Sequence, residues 1–367
     1  MGYSIQELSE ETAEAWDEFN NQCPEGTFFH SIKWKKILEN VLHIDPKYWI
    51  ISSGQKIVGI VPSKKCTLTY LKGLDTLPHS EFNSILLDNN FDPRDLHEVL
   101  TQFASKYSFF FLNTNRQEFL DYIGYDHYPY EIVGNMVLNL QQKPPETIWE
   151  NFSAKKGQRK FIRRFDEKGF KIHETHEPED MKIFHRYYAE NLIRINADVL
   201  PLTFFQKLPE VFSSDEMRVT LLSKGDTYAG GLLTFMHPAS KTAYFQYLSL
   251  NRNLPNTYHP TYYLFWEGLN WAWDNGYEKI SFGRQKLDPK NPRFQIKADF
   301  GAEYKPIYSQ IVLFTKTTSL LYRIRKLRVR RNSMPLDTGT PVRQLEASVL
   351  DKRCIEHPRH IGRRPGP

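Results

Sequence analysis

Residues 280–301 read ISFGRQKLDPKNPRFQIKADFG: a short apolar strand, the pair Gly283-Arg284, a proline-broken loop, and a segment that alternates aromatic and charged residues around Lys297. The preceding stretch, PTYYLFWEGLNWAWDNG (260–276), carries Tyr262, Trp266, Leu269 and Trp273 at helical spacing, with Gly276 where a helix stops in the left-handed conformation. The following one, YKPIYSQIVLF (304–314), has the composition of a strand. Strand, long aromatic helix, strand, loop and strand is the order of a mixed α/β sheet.

The same reading extends toward the N-terminus. MRVTLLSKGDTYAGGLLTFMH (217–237) predicts a hairpin about Lys224-Gly225-Asp226, and TAYFQYLSL (242–250) a third strand. Helices are expected at 146–168, 178–193 and 201–212, with a strand FKIHET (170–175) between the first two. Before Pro144-Pro145 the order of elements is similar. Two helices (9–23 and 27–42), a hairpin (47–66), a helix (92–107) and a buried strand SFFFLN (108–113) follow one another. The shared helix-then-hairpin order implies two related α/β units, residues 1–142 and 143–316. A basic C-terminal helix and tail occupy 317–367.

Composition narrows the function. The 367 residues are 40% hydrophobic and 25% charged, ordinary for a folded protein, while 14% aromatic residues predict a ring-rich core. The formal charge of +5 is unevenly spread: residues 317–367 hold 12 Lys/Arg against 4 Asp/Glu, and the remainder 36 against 39. A nucleic-acid surface across the folded body is therefore not implied, and no DNA partner is expected. The basic end, SLLYRIRKLRVRRN (319–332), suits either a solvated docking helix or electrostatic attachment to anionic lipid or nucleic acid. Cys23, Cys66 and Cys354 are far apart and odd in number, the pattern of free thiols in a reducing cytoplasm. With no secretory leader and no apolar run near ~20 residues, the expectation is a cytoplasmic protein, peripheral at the membrane at most.

His173 and His176 form an H-x-x-H, but at a strand end and without the partners a zinc site needs, so no metal is expected. Serine-hydrolase elbows, Walker loops and dinucleotide-binding glycine motifs are missing from the sequence. The segment SAKKGQRKFIRRFDEKGFKI (153–172) concentrates Lys155, Lys156, Arg159, Lys160, Arg163 and Arg164 on one helix that keeps Phe161, Ile162 and Phe165 periodic. Such a helix is either a salt-laced surface or a polyanion contact.

Together, GTFFHSIKWKKIL (26–38), IWENFSAKKGQRKFIRRFDEKGFKI (148–172), YAGGLLTF (228–235), the block from Tyr244 to Arg284 and FQIKADFGAEYKPI (294–307) resemble the Fem family of aminoacyltransferases. These enzymes extend peptidoglycan side chains and form a branch of the GNAT superfamily. The resemblance implies tandem GNAT-like (acyl-CoA N-acyltransferase-like) α/β domains with mixed, mainly antiparallel sheets and a site in the cleft between them. Lys297 then matches the lysine of the family's Phe-Lys motif, although Ile296 directly precedes it and Phe294 lies three residues before. Arg284 matches the Gly-Arg that closes the preceding strand, and these two are the expected catalytic residues. Lys156, Arg159 and Arg163 match the basic helix proposed to meet phosphate or polymer; Trp34, Lys36, Tyr247 and Tyr258 complete the expected substrate contacts. LPHSEFNSILL (77–87) stands where many relatives carry an Asp-containing Pro-x-x-Asp-Tyr-Gly-Gly pattern. The coiled-coil arm that binds transfer RNA in some members is missing, as is the glycine-rich pyrophosphate loop of acetyl-CoA enzymes.

What this implies is acyl or aminoacyl transfer from aminoacyl-tRNA or an acyl thioester such as acyl-CoA, with no permanently bound cofactor. The acceptor would be an amine of a cell-envelope precursor or surface glycan. The alternative is a non-catalytic GNAT-like module held on anionic polymer or membrane by its basic helix and tail.

Overall fold

The computed structural model describes residues 2–68, 70–83, 85–255 and 257–332, with side chains described to residue 324. The tail expected beyond, with Cys354, lies outside the described residues. In the first half, β1 (Tyr3–Glu7), α1 (Ala13–Gln22), α2 (Ile32–Asn40), β2 (Pro46–Ser53), β3 (Lys56–Leu68), β4 (Leu71–Asp75), β5 (Leu86–Leu87), α3 (Leu96–Ala104), β6 (Phe109–Thr114) and β7 (Asp126–Asn139) follow in order. The second half runs α4 (Pro145–Asn151), α5 (Gln158–Glu167), β8 (Lys171–Glu174), α6 (Pro178–Arg194), α7 (Leu202–Val211), β9 (Met217–Lys224), β10 (Thr227–His237) and β11 (Thr242–Leu250). It continues through α8 (Pro260–Asp274), β12 (Lys279–Gln285), α9 (Pro292–Asp299), β13 (Glu303–Leu313) and α10 (Lys316–Asn332).

Among the described residues the strands join into one 13-stranded sheet of order β1-β2-β3-β4-β6-β13-β7-β12-β11-β10-β9-β8, with β5 alongside β3. The halves are interlocked. Strand β13, which the sequence places in the second half, lies between β6 and β7 of the first, while β7 carries β12 on its other edge.

A shared apolar core reinforces this interlock. Trp16, Phe28, Phe29 and Trp34 pack with Phe204, Phe212, Phe235 and Tyr244 in one buried cluster, and the rings of Phe28 and Phe235 stack at 4.2 Å. Burying such side chains contributes about 1.5–3 kcal/mol each, so the two units are joined by the kind of surface that builds a domain interior.

Helix boundaries follow local chemistry. Ser31 caps α2 by accepting a hydrogen bond from the Trp34 amide at 3.1 Å. The helix expected over 146–168 is instead two, because Gly157 takes a left-handed φ of 74° before α5. The proline-broken loop of the opening stretch is also partly helical: Asn291 caps α9, accepting from the Arg293 amide at 2.9 Å, and Pro292 occupies the first turn. Of the stripe expected on α8, Tyr262 and Leu269 are buried, but Trp273 is exposed. At the C-terminal end, Tyr322 of α10 stacks on Tyr128 at 5.0 Å and Arg323 pairs with Asp126 at 3.1 Å, docking the helix on β7.

Candidate active site

Strands β11 and β12 are parallel neighbours over only three positions, Thr242–Tyr244 against Lys279–Ser281. Beyond them β11 stays with β10 as far as Leu250, and β12 stays with β7 as far as Gln285. Their C-terminal ends therefore diverge, opening a wedge in the middle of the sheet that exposes backbone groups a ligand can bond.

The segment 76–83, after β4, reaches into this wedge. It is pinned by Asn83, whose Nδ2 donates to the Leu77 carbonyl at 2.6 Å, and by Trp34, whose Nε1 donates to Ser80 Oγ at 2.9 Å. Next to Ser80, Glu81 is buried and its Oε2 accepts a hydrogen bond from Ser281 Oγ of β12 at 2.7 Å. Gly283 makes room for it: with φ of 87°, a Cβ added there would sit 3.0 Å from Glu81 Oε1. The carboxylate also acts electrostatically on Tyr244 and Tyr247 of β11.

Lys297, half-buried on α9, is the cation nearest in effect to Glu81. Burial pushes the Glu81 carboxyl up to about 7, opposed by the Ser281 hydrogen bond and the Lys297 charge. Burial likewise brings the Lys297 ammonium down to about 8; the Glu81 charge opposes that fall and Arg293 adds to it. An acid and a base thus both titrate near neutrality, the condition general acid-base chemistry requires. Beside them, Arg284 Nη2 binds Glu131 Oε2 at 2.5 Å. Arg284 Nε and Gln285 Nε2 are buried N–H donors without a protein acceptor, a feature that calls for an absent partner.

The expected site residues separate into groups. Lys297, Arg284 and Tyr247 converge on the wedge. Lys156 pairs with Asp299 at 2.6 Å, and Asp299 accepts from Tyr262 Oη at 2.7 Å, which ties the approach to α5 to the helix bearing Lys297. Arg159 donates to the Phe152 carbonyl at 3.0 Å and Arg163 lies over the Trp149 ring at 5.3 Å. Both line a cavity of about 350 Å³ with Ser153, Gly157, Lys160 and Glu167; none of the wedge residues borders it. Tyr258 packs on Phe165 and Phe170 ahead of α8. Lys36 is exposed on α2. Trp34 departs most from expectation: at 0% exposure it is a core ring that offers no surface to a substrate, and it reaches the site only through Ser80.

Glu81 and Ser281 were not singled out by the sequence. Glu81 lies in the segment that stands in place of the family's Asp-containing pattern, and an acid among the apolar residues of LPHSEFNSILL was the available signal.

Comparison with known proteins agrees with this architecture. The family described as acetyltransferase (GNAT) domain matches residues 153–301. The structure of FemX is similar over 88% of this chain and 99% of its own, at 11% identity and a TM-score of 0.61. L-PGS from Bacillus licheniformis matches over 87% of this chain and 98% of its own, at 13% identity and a TM-score of 0.55. A tandem GNAT protein from the clavulanic acid biosynthesis pathway matches over 85% and 99%, at 11% identity and a TM-score of 0.50. No curated protein matches the sequence. Residues 153–301 therefore match the acetyltransferase (GNAT) domain family, in a chain whose fold is that of FemX and of a tandem GNAT protein over 85–88% of its length.

Proposed function

We propose that the wedge between β11 and β12 transfers an acyl or aminoacyl group from an activated donor to an amine of a cell-envelope precursor or surface glycan. One observation carries the reading: Glu81, hydrogen-bonded to Ser281 across the two halves of the fold at the place where the sheet opens, lies within electrostatic reach of Lys297. The donor's carbonyl lies between the diverging strands. The acceptor arrives as an ammonium, gives a proton to the Glu81 carboxylate and attacks the carbonyl carbon. Lys297, with Arg284 of β12, faces the oxygen on which negative charge develops. Collapse breaks the bond to the thiolate or ribose oxygen of the donor, which takes up the proton held by Glu81; the carboxylate so restored takes the second proton from the nitrogen and passes it to water, and the neutral amide is released.

This scheme needs no covalent nucleophile and no metal-bound intermediate. A GNAT domain takes acyl-CoA as co-substrate, and aminoacyl-tRNA, which the Fem resemblance implies, is the other donor class. A buried carboxylate such as Glu81 is costly to maintain in a purely adhesive module, which favours chemistry over the non-catalytic alternative. Both strands of the wedge come from 143–316, and 1–142 contributes the segment that carries Glu81.

The test is to incubate the pure protein with acyl-CoA and, separately, with charged tRNA pools, then follow mass increments on extracted envelope precursors. Transfer by the wild type and its loss in Lys297→Ala are expected. No increment from either donor class would overturn the enzyme reading.

A further inference from the structure

The open end of the wedge has a rim whose chemistry the transfer reaction does not use. Asn191, in the last turns of α6, donates from Nδ2 to the Leu250 carbonyl at 2.7 Å and accepts from Arg252 Nε at 2.8 Å. Arg252, just past the end of β11, is thereby held against α6, with Arg194 three residues beyond Asn191 on the same helix. Arg293, in the first turn of α9, completes the group. Burial and the positive charges of Arg194 and Arg293 all hold the Arg252 guanidinium below its ordinary pKa. Among the described residues no ion pair joins any of these three arginines to a carboxylate.

Apolar side chains project beside these charges. Ile193 is 68% exposed and Ile195 45%, flanking Arg194; Leu287, 49% exposed, stands on the connection from β12 to α9 next to exposed Lys286. An exposed isoleucine alone needs no explanation. Three apolar residues set among uncompensated guanidinium groups at one end of the sheet are complementary to a surface that pairs phosphate with hydrocarbon.

We infer that the rim formed by Ile193, Arg194, Ile195, Arg252, Leu287 and Arg293 docks on an anionic phospholipid surface, so that the wedge opens toward the membrane. The arginines bind lipid phosphates in bidentate fashion, and the apolar residues enter the boundary between headgroups and chains. This rests on the acyl-transfer reading only in what docking would deliver, an acceptor anchored at the membrane. Docking is measured without turnover, so either idea can fail alone.

A local probe separates this rim from α10, which can also attract anionic lipid. An environment-sensitive fluorophore is attached at Ile193→Cys in the full chain, with Cys66→Ser and Cys354→Ser. Phosphatidylglycerol vesicles should shift its emission to the blue and raise its intensity about two-fold or more, and phosphatidylcholine vesicles should not. Combining Arg194→Glu with Arg252→Glu should abolish the response, with circular dichroism verifying the fold. The inference is overturned if emission is unchanged while the protein co-floats with the vesicles, if both lipids give the same shift, or if charge reversal leaves it intact.

Discussion

Glu81 accepts a hydrogen bond at 2.7 Å from Ser281, a residue 200 positions later in the chain, and so fixes a first-half carboxylate on a second-half strand. Glu81→Gln preserves an acceptor for Ser281 and nearly the same volume while removing the base. It should lower kcat by about 10²–10⁴-fold with little change in KM. Steady-state kinetics decide this, and a variant within three-fold of wild type would remove Glu81 from the mechanism.

The two shifted groups set a pH window. Activity needs Glu81 ionised and Lys297 protonated, so kcat/KM should rise through about 7 and fall above about 8. Stability should follow a complementary course. The folded pKa of Glu81 lies above its ordinary 4.5, so stability is lost as pH rises from there through about 7. Lys297 lies below its ordinary 10.5, so stability is regained from about 8 upward. Denaturant midpoints across pH should therefore show a shallow minimum where activity is highest, and Glu81→Gln should flatten the acidic side of both curves.

Lys297→Ala should reduce kcat by about 10²–10³-fold, equivalent to roughly 2.7–4 kcal/mol, if the ammonium stabilises the oxyanion. Lys297→Arg retains the charge, but its larger planar head has to fit the same half-buried position, so partial recovery is expected. Complete recovery by Lys297→Met would show that the side chain only packs.

Much of this arrangement is legible in the sequence. Aromatic periodicity and Gly276 marked α8, and the apolar runs marked β11 and β12, because these signals are local. Helix α9 was obscured because Pro289 and Pro292 read as breakers, whereas Pro292 sits in a first turn behind the Asn291 cap, where its missing N–H costs nothing. Lys297, Arg284 and Tyr247 were expected from the resemblance and lie at the wedge, whereas Glu81 was not singled out. Its role depends on a contact between distant segments and on a desolvated environment that no nearby spacing encodes. Trp34 matched a motif whose purpose here is packing, and helical spacing cannot distinguish an inward ring that binds substrate from one that fills the core. The position of β13 between β6 and β7 is likewise a matter of topology.

Gly283 and Gly276 provide a matched test of why the opening stretch contains Gly-Arg. Both have positive φ, 87° and 77°, so alanine at either introduces backbone strain of about 1–2 kcal/mol. At Gly276 nothing lies within 4 Å of the added methyl, whereas at Gly283 it would meet Glu81 Oε1 at 3.0 Å. Gly276→Ala should therefore lower the melting temperature by a few degrees and leave kcat unchanged. Gly283→Ala should cost similar stability and in addition reduce kcat by about ten-fold or more, because it displaces the carboxylate from Ser281. Equal kinetic effects of the two variants would show that Gly283 is a turn residue only. A loss confined to Gly283→Ala, with the acidic limb of its pH profile moved, would tie the Gly-Arg of the sequence to the carboxylate it accommodates.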